Sequence, residues 1–564
     1  MSAAAAPAMP GEKRTLMQKI LDGIERVGNK VPHPVIIFVY LIVLVIVLSA
    51  ILAALGVSVT EQKMVPVMPP ATEQTYVGGT MEPLGNANLL PIDDFEVKDV
   101  TVSIRSLLTI EGIRFLFTSF VGNFASFSVV SVIFVAMIGV GVAEEAGMMA
   151  ALIRKLVAVT PGSLLTFVIV LVGGLSSVAT DAGYLILIPL GAAAFLSVGR
   201  HPIAGVAAAF AGVSVAFSVN ILFTPLDAML TEMTNEAIGI AGVGQPITIT
   251  ANWFFNVVST VAMAVVATIV TTRMIEPRLG VYQPEAALGH APGEGGPEIP
   301  TPEDAPAVDE AAEARGLSGA LRWFLAAVAI VLLITLPPGA PLRDPETGGI
   351  VGNTPFMDSL VFIITLVFLC AGIGYGRGAG TIKSSVDIVA AVTKTFAGLG
   401  GLVLVLLVIS QFIAYFNYTN MPDVIAGWLA NLLGSANVNE IVLLIGLILI
   451  IALLDIIIPA ALPKWAIFAP IFVPLFIRLG VAPQTVQAAY RIGDSPMNVI
   501  TPLMVYFPFI VLVAQKYDKK AGLGTIIALM LPYTFIVLIA WIILFVIWYL
   551  LGIPVGPGYP VFAS

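Results

Sequence analysis

The chain has 564 residues and a net charge of −9; it is 58% hydrophobic but only 11% charged, with a mean hydropathy of +1.00. Soluble globular domains carry about twice that charged fraction, so that class is excluded. A single cysteine (Cys370) excludes an internal disulfide framework, three histidines make no metal cluster, and no basic face marks a nucleic-acid partner.

In chain order, residues 1–34 form a mostly polar tail with Lys13, Arg14, Lys19, Arg26 and Lys30, which reads as cytoplasmic rather than as a signal peptide. The first membrane half covers 35–282. It opens with a span at Val35–Val57, followed by an acidic outside loop (58–111) and a set of broken apolar stretches whose repeat unit runs over 115–230. Arg154, Lys155, Arg273 and Arg278 mark returns to the inside. Residues 283–315 are rich in Pro, Glu, Ala and Gly and read as a disordered cytoplasmic linker. A second membrane half spans 316–552, with its repeat unit at 395–507, and a charge-free tail (553–564) is left outside. Within that half, Pro337–Asn353 lies outside, while Arg377, Lys383, Lys394, Lys516, Lys519 and Lys520 mark the inside. The expected fold is an all-α polytopic membrane protein with about nine transmembrane helices plus two re-entrant hairpins, the usual form of interrupted spans in transporters. The expected location is the cytoplasmic (inner) membrane.

The two halves share an internal repeat. TDAGYLILIPLGAAAFLSVGRHPIAG (180–205) leads to AFSVNILFTPLDAML (216–230), and LPKWAIFAPIFVPLFIRLGVAPQT (462–485) leads to DSPMNVITPLMVYF (494–507). Each shows a break, a short apolar helix, a polar turn with X-Pro, and then Ser-Asn-Thr-Pro. The preceding helices, Ser128–Val140 and Leu402–Phe416, start from opposite sides, which makes these inverted-topology repeats.

The repeated elements are Ser218, Asn220, Thr224 and Pro225 in one half and Ser495, Asn498, Thr501 and Pro502 in the other. Proline frees a carbonyl, and hydroxyl and amide oxygens beside it are hard donors suited to Na⁺, with Asn220 and Asn498 as the candidate sodium ligands. Back-bonding to carbonyls at proline kinks is the competing structural reading. Arg491 and Asp494 share a helix face at i, i+3; they either neutralise each other or provide a carboxylate anchor beside an orienting or proton-carrying acid. Asp181, at the break GGLSSVATDAGY, reads either as an N-cap or as a buried proton carrier. Lys464 and Trp465 occupy the matched place in the second half, and Trp465 offers an aromatic face for stacking. Asp227, Asn252, Trp253 and Asp455 are weaker candidates; Asp455 lies near Pro459 and reads as satisfying freed backbone. His201 reads as a membrane-edge turn residue, and Glu144 and Glu145 as facing water.

VPHP, TDAGYLILIPL, GRHPIAGVAAAFAGVSVAFSVNIL, TPLDAML, ANWFF, LPKWAIFAPIFVP and YRIGDSPMNVITPLM resemble the p-aminobenzoyl-glutamate transporter (AbgT) family, from about Val31 to Leu550 without the linker. The architecture is similar to that of the wider ion-transporter superfamily, which includes Na⁺-dicarboxylate carriers. The resemblance implies a homodimer with nine spans and two hairpins per protomer, and an elevator-type transport domain. Its functional positions fall here on Asp181, Trp465, Pro483, Arg491, Asp494 and Pro502. One departure is Ala460-Ala461-Leu462-Pro463, where relatives have a small Ser- or Ala-rich tip.

The sequence therefore points to a secondary transporter, not an enzyme, acting on p-aminobenzoyl-glutamate or related aryl amides with H⁺ and/or Na⁺ as coupling ion and no cofactor. Its partners are an anionic aromatic small molecule and the lipid bilayer. A sulfonamide exporter and a dicarboxylate carrier on the same scaffold are the alternatives. A membrane-embedded enzyme is disfavoured, because no nucleophile–base pair, metal cluster or phosphate cradle is evident.

Overall fold

The computed structural model describes residues 34–66, 95–178, 183–241, 244–283, 309–351, 354–435, 439–501 and 503–563. The first half contains α1 (Pro34–Ala54), the strands β1 (Ser58–Pro66) and β2 (Phe95–Ser103), and then α2 (Ile110–Thr118), α3 (Phe120–Ala125), α4 (Ser128–Glu145), α5 (Met148–Ala158), α6 (Leu165–Leu175), α7 (Ile188–Ser197), α8 (Pro202–Ser214), α9 (Pro225–Ala241) and α10 (Trp253–Val270). The second half contains α11 (Glu310–Thr335), α12 (Leu360–Ala379), α13 (Ser385–Gly398), α14 (Gly400–Tyr418), α15 (Met421–Ser435), α16 (Glu440–Asp455), α17 (Ala461–Arg478), α18 (Pro483–Asp494), α19 (Phe507–Gln515) and α20 (Leu523–Leu550). Among the described residues, 8 helices are long and apolar enough to cross a membrane, and three shorter apolar helices lie in the first broken segment.

Helix ends follow local chemistry. Proline stands at the first position of α8, α9 and α18, where its missing N–H has no intrahelical partner to lose. Asp309 caps α11 by accepting from Ala311 N and Ala312 N, both at 3.0 Å, and Asn439 caps α16 through Ile441 N at 2.9 Å. The cap at Asp309 starts a helix inside the segment whose composition reads as a linker (283–315). EAAEAR is a strong helix-forming run once a cap begins it.

Two strands qualify the all-α expectation. β1 and β2 pair antiparallel from Ser58↔Ser103 to Pro66↔Phe95, so both ends of the acidic 58–111 loop form a ribbon. FEVKDVTVS alternates apolar and polar residues on either side of Lys98-Asp99, the period of a strand.

Helix packing depends on small residues. A Cβ on Gly319 of α11 would strike the Gly374 carbonyl of α12, and one on Gly374 would strike the Gly319 carbonyl and Trp323. Such close approach supplies dispersion contacts that apolar lipid cannot provide as a hydrophobic drive. α12 meets α4 in the same manner, with Gly372 against Ala143.

At the centre, the two broken segments face one another. α6 is followed by a 3-10 turn at Ser176–Val178 and a π-turn at Gly183–Leu187 before α7, while α16 ends at Asp455, just before α17. α9 packs on α17, α16 packs on α18, and α8 meets the 3-10 turn Pro496–Val499 that follows α18. The carboxyl-terminal tail is part of this structure. Ala482 N and Thr485 Oγ1 donate to Val561 O at 3.2 and 2.8 Å, and Phe255 N donates to Val555 O at 3.1 Å.

Candidate functional site

Five ionisable side chains, Asp227, Asp455, Lys464, Arg491 and Asp494, lie at the junction of the broken segments, each no more than 3% exposed. Arg491 and Asp494 do not pair with each other, although i, i+3 spacing puts them on one helix face. Arg491 reaches across to α9, where Nη1 donates to Asp227 Oδ1 and to Ser218 O, both at 2.6 Å. Asp494 ends α18 and faces α17, where Lys464 Nζ lies 2.8 Å from Asp494 Oδ1. The same ammonium is bonded to Asp455 Oδ1. Asp455 thus serves an ion pair rather than the freed backbone near Pro459. Each charge finds an opposite one on a neighbouring helix, which intramembrane burial demands.

Neutral groups complete the network. Ser218 Oγ donates to Asp494 Oδ2 at 2.6 Å and Ser218 N to Ser495 Oγ at 3.1 Å, so the repeated serines meet directly. Thr224 donates to Asp227 Oδ2 through both N and Oγ1 at 2.7 Å, which fixes the start of α9. Asn220 Nδ2 donates to Gly174 O at 3.0 Å, Leu175 O at 3.2 Å and Ser177 Oγ at 2.9 Å, while its Oδ1 accepts from Leu222 N at 2.9 Å. It thereby stitches the end of α6 to its own turn. Asn498 Nδ2 donates to Asp494 O at 3.1 Å, and Thr501 Oγ1 to Ile456 O at 2.8 Å. Asp181 and Pro502 lie outside the described residues.

Trp465 is fully buried. Its Nε1 donates to Thr234 Oγ1 at 3.1 Å, and its ring lies 4.4 Å from that of Tyr490, so Tyr490 occupies the stacking position in this conformation. Pro483 is buried at the first position of α18, on the turn covered by the tail.

Sequence reading missed Gln487, Tyr490 and Thr234. Gln487 Nε2 donates to Thr234 Oγ1 at 2.8 Å, and its Oε1 accepts from Asn252 and, at 3.4 Å, from Arg491. Tyr490 bonds Ala461 O and lies 3.1 Å from Asp494 Oδ1. Their signal was present in QAAYRIGD, since Gln487 and Tyr490 stand four residues before Arg491 and Asp494 and share their faces. Four buried atoms here have no hydrogen-bond partner among the described residues: Arg491 Nε, Asn252 Oδ1, Asn256 Oδ1 and Asp455 Oδ2. Nearly all buried polar atoms in folded proteins are paired, so the concentration beside Arg491 marks a place built for something more than packing.

The other face of α9 borders a cavity of 490 Å³ lined by Glu232, Asn235, Glu236, Gly239, Asn417 and Asp423. Three carboxylates on its wall disfavour an anion there, so the Arg491 network is the better anion site.

The family profile for the AbgT putative transporter family matches residues 19–563. The chain belongs to that family. This AbgT member is 31% identical over 543 residues to the p-aminobenzoyl-glutamate transport protein of Escherichia coli (strain K12), covering 96% of this chain and 97% of the relative. Its fold matches the crystal structure of the Alcanivorax borkumensis YdaH transporter with a TM-score of 0.79 at 35% identity, covering 93% of this chain and 100% of that one. Neisseria gonorrhoeae MtrF, described with a class of antimetabolite efflux pumps, matches with a TM-score of 0.80 at 38% identity, covering 96% and 100%. The protein is therefore a multi-pass membrane transporter whose fold is that of the AbgT transporters.

Proposed function

We propose that this transporter moves p-aminobenzoyl-glutamate or a related aryl amide by secondary active transport. The carrying observation is Arg491, buried where the two broken segments meet, with one guanidinium edge on Asp227 and Ser218 and Nε unpartnered beside Asn252 and Asn256. Guanidinium matches a carboxylate as a fork, and a substrate carboxylate competing with Asp227 would bring both fork edges into use. Trp465 and Tyr490 supply aromatic faces for the aminobenzoyl ring once they part. Pro483 holds the turn that begins α18. The name of the Escherichia coli relative supports the substrate.

On this reading, α6–α9 and α16–α19 form two re-entrant hairpins and their broken partners in a nine-span, inverted-repeat protomer of a homodimer. The transport domain moves as an elevator in the cytoplasmic membrane, with the amino terminus inside and the carboxyl terminus outside. Coupling uses H⁺, Na⁺ or both. Asp181 and the acids paired with Lys464, Asp455 and Asp494, suit protons, and the Ser218–Asn220–Thr224 and Ser495–Asn498–Thr501 sets suit sodium, with Asn220 and Asn498 as its ligands.

Purified protein in liposomes tests this directly. Labelled p-aminobenzoyl-glutamate should accumulate under an imposed pH gradient, an imposed Na⁺ gradient, or both applied in turn. Absence of gradient-dependent flux with either ion would overturn it. A second reading, export of sulfonamide antimetabolites, is favoured by the 38% identity to MtrF. Sulfonamides share the aminophenyl part and lack the glutamate. Arg491→Ala should therefore weaken transport of glutamate-bearing substrates at least about tenfold more than that of sulfonamides, the scale of one lost charged hydrogen bond. Equal loss for both would make the Arg491–Asp227 pair purely structural.

A further inference from the structure

We propose that Asp455 is a proton-binding site, with the proton held on Oδ2 inside the buried Asp455–Lys464–Asp494 triad, and that this is the coupling proton of transport. Existence of the site rests on buried charge and geometry alone. Its use in coupling rests on the transport reading above.

Charge counting comes first. Arg491 and Asp227 form a matched pair at 2.6 Å. Lys464 serves two carboxylates at once, Asp455 and Asp494, and all three side chains are fully buried. Among the described residues, three acids against two bases leave one excess negative charge away from water, a state strongly disfavoured if left unneutralised. A neutral lysine would make the imbalance worse, so the resolution is one proton shared by the two carboxyls.

Geometry then chooses the carboxyl. Asp494 accepts on both oxygens: Oδ2 from Ser218 Oγ at 2.6 Å, and Oδ1 from Lys464 at 2.8 Å. Asp455 accepts from Lys464 on Oδ1 only, and Oδ2 is buried with no partner among the described residues. A proton on Oδ2 therefore leaves every existing hydrogen bond intact, whereas both Asp494 oxygens already hold a donor.

Among the described residues, the surroundings of Asp455 contain no other charge that would do this instead. α16 packs on α18, on the 3-10 turn Pro496–Val499 and on α20. α18 presents Tyr490, Asp494 and the already matched Arg491; α17 presents Lys464. The 3-10 turn carries no ionisable residue, and the two tyrosines of α20 are occupied elsewhere: Tyr533 bonds Thr271, and Tyr549 lies towards Glu440 at the far end of α16. Asp455 sits at the last residue of α16, where the chain breaks before α17, so a relative movement of those two helices would separate it from Lys464 and change its affinity for a proton. That places proton binding at the break that alternating access would have to move.

Infrared spectroscopy of the purified protein at neutral pH provides the test. The native protein should show a protonated-carboxyl stretch that shifts in D₂O. Asp455→Asn should abolish it. Asp494→Asn should also abolish it, because Lys464 then suffices for Asp455 alone. Lys464→Met should instead add a second protonated carboxyl. Absence of the band from the native protein, or its survival in Asp455→Asn, would overturn the site. In liposomes, a pH gradient that drives labelled p-aminobenzoyl-glutamate accumulation by the native protein should give none in Asp455→Asn; accumulation equal to native would overturn the coupling role. Failure of the native protein to transport that substrate would sink the transport reading while the infrared result still decides the proton site.

Discussion

In the first broken segment, the chain ends left by α6 are held by neutral groups, whereas in the second the corresponding ends of α16 and α18 are held by charge. Asn220 bonds two carbonyls and a hydroxyl of the Gly174–Ser177 break. At the matched break of the second segment stand Asp455 and Lys464, closed by Asp494. The turn between the paired helices differs too. His201 caps α8 with its own ring, Nδ1 accepting from Ile203 N at 3.2 Å, while Ala482 has no side-chain cap and its backbone N–H goes to the carboxyl-terminal tail. A shared outline therefore supports two chemistries. Among the described residues, the first break is held by neutral groups at little electrostatic cost, whereas the second can respond to protons and anions.

Removing the cation from the charged copy should have the largest effect. Lys464→Met takes the cation from between Asp455 and Asp494, and breaking such a buried pair costs about 3–5 kcal/mol. The expected result in size-exclusion and thermal-melt measurements in detergent is a sharply destabilised protein. A variant as stable as native would mean that charge does not hold the second segment.

The matched asparagines sharpen the contrast. Asn220→Ala deprives Gly174 O, Leu175 O, Ser177 Oγ and Leu222 N of a partner and should cost about 1–3 kcal/mol, the penalty for orphaned buried polar groups. Asn498→Ala removes a donor to a single carbonyl and should cost about 1 kcal/mol. Equal losses in thermal melts would make the two copies equivalent after all.

The smallest effect is expected at the turn. Burial pushes the His201 imidazole below its ordinary value, against the opposing pull of Asp518 and Glu276, and the neutral ring is the form whose Nδ1 can accept from Ile203. The unfolded chain then binds the proton more readily, so this contribution is present above about pH 6.5 and is lost as pH falls below it. His201→Asn keeps an N-cap acceptor and should flatten that part of the pH dependence of the melting temperature. An unchanged slope would remove His201 from the account.

Much of the architecture was legible because it is local. Hydropathy and length mark the spans, X-Pro marks the starts of α8 and α18, and the recurrence of Ser-Asn-Thr-Pro marks the two breaks. The β1–β2 ribbon was also written locally, in the alternation of FEVKDVTVS, but it is hidden inside an acidic loop. Asp309 shows the limit of composition, since one cap converts the end of an apparently disordered stretch into helix. Residue type alone ranked Asp227 and Asp455 below Asp494, yet all three are equal members of one network.

What the sequence by itself determined is which segments leave water, where their backbones break and which side chains carry charge there, because each depends on a few neighbouring residues. Only the tertiary structure decided who neutralises whom. Arg491 and Asp494 are three residues apart, yet their partners are Asp227, 264 residues away, and Lys464, on a different helix. A buried charge takes whichever opposite charge and hydrogen bonds the packed helices bring within reach, and that is set by how α9, α17 and α18 meet.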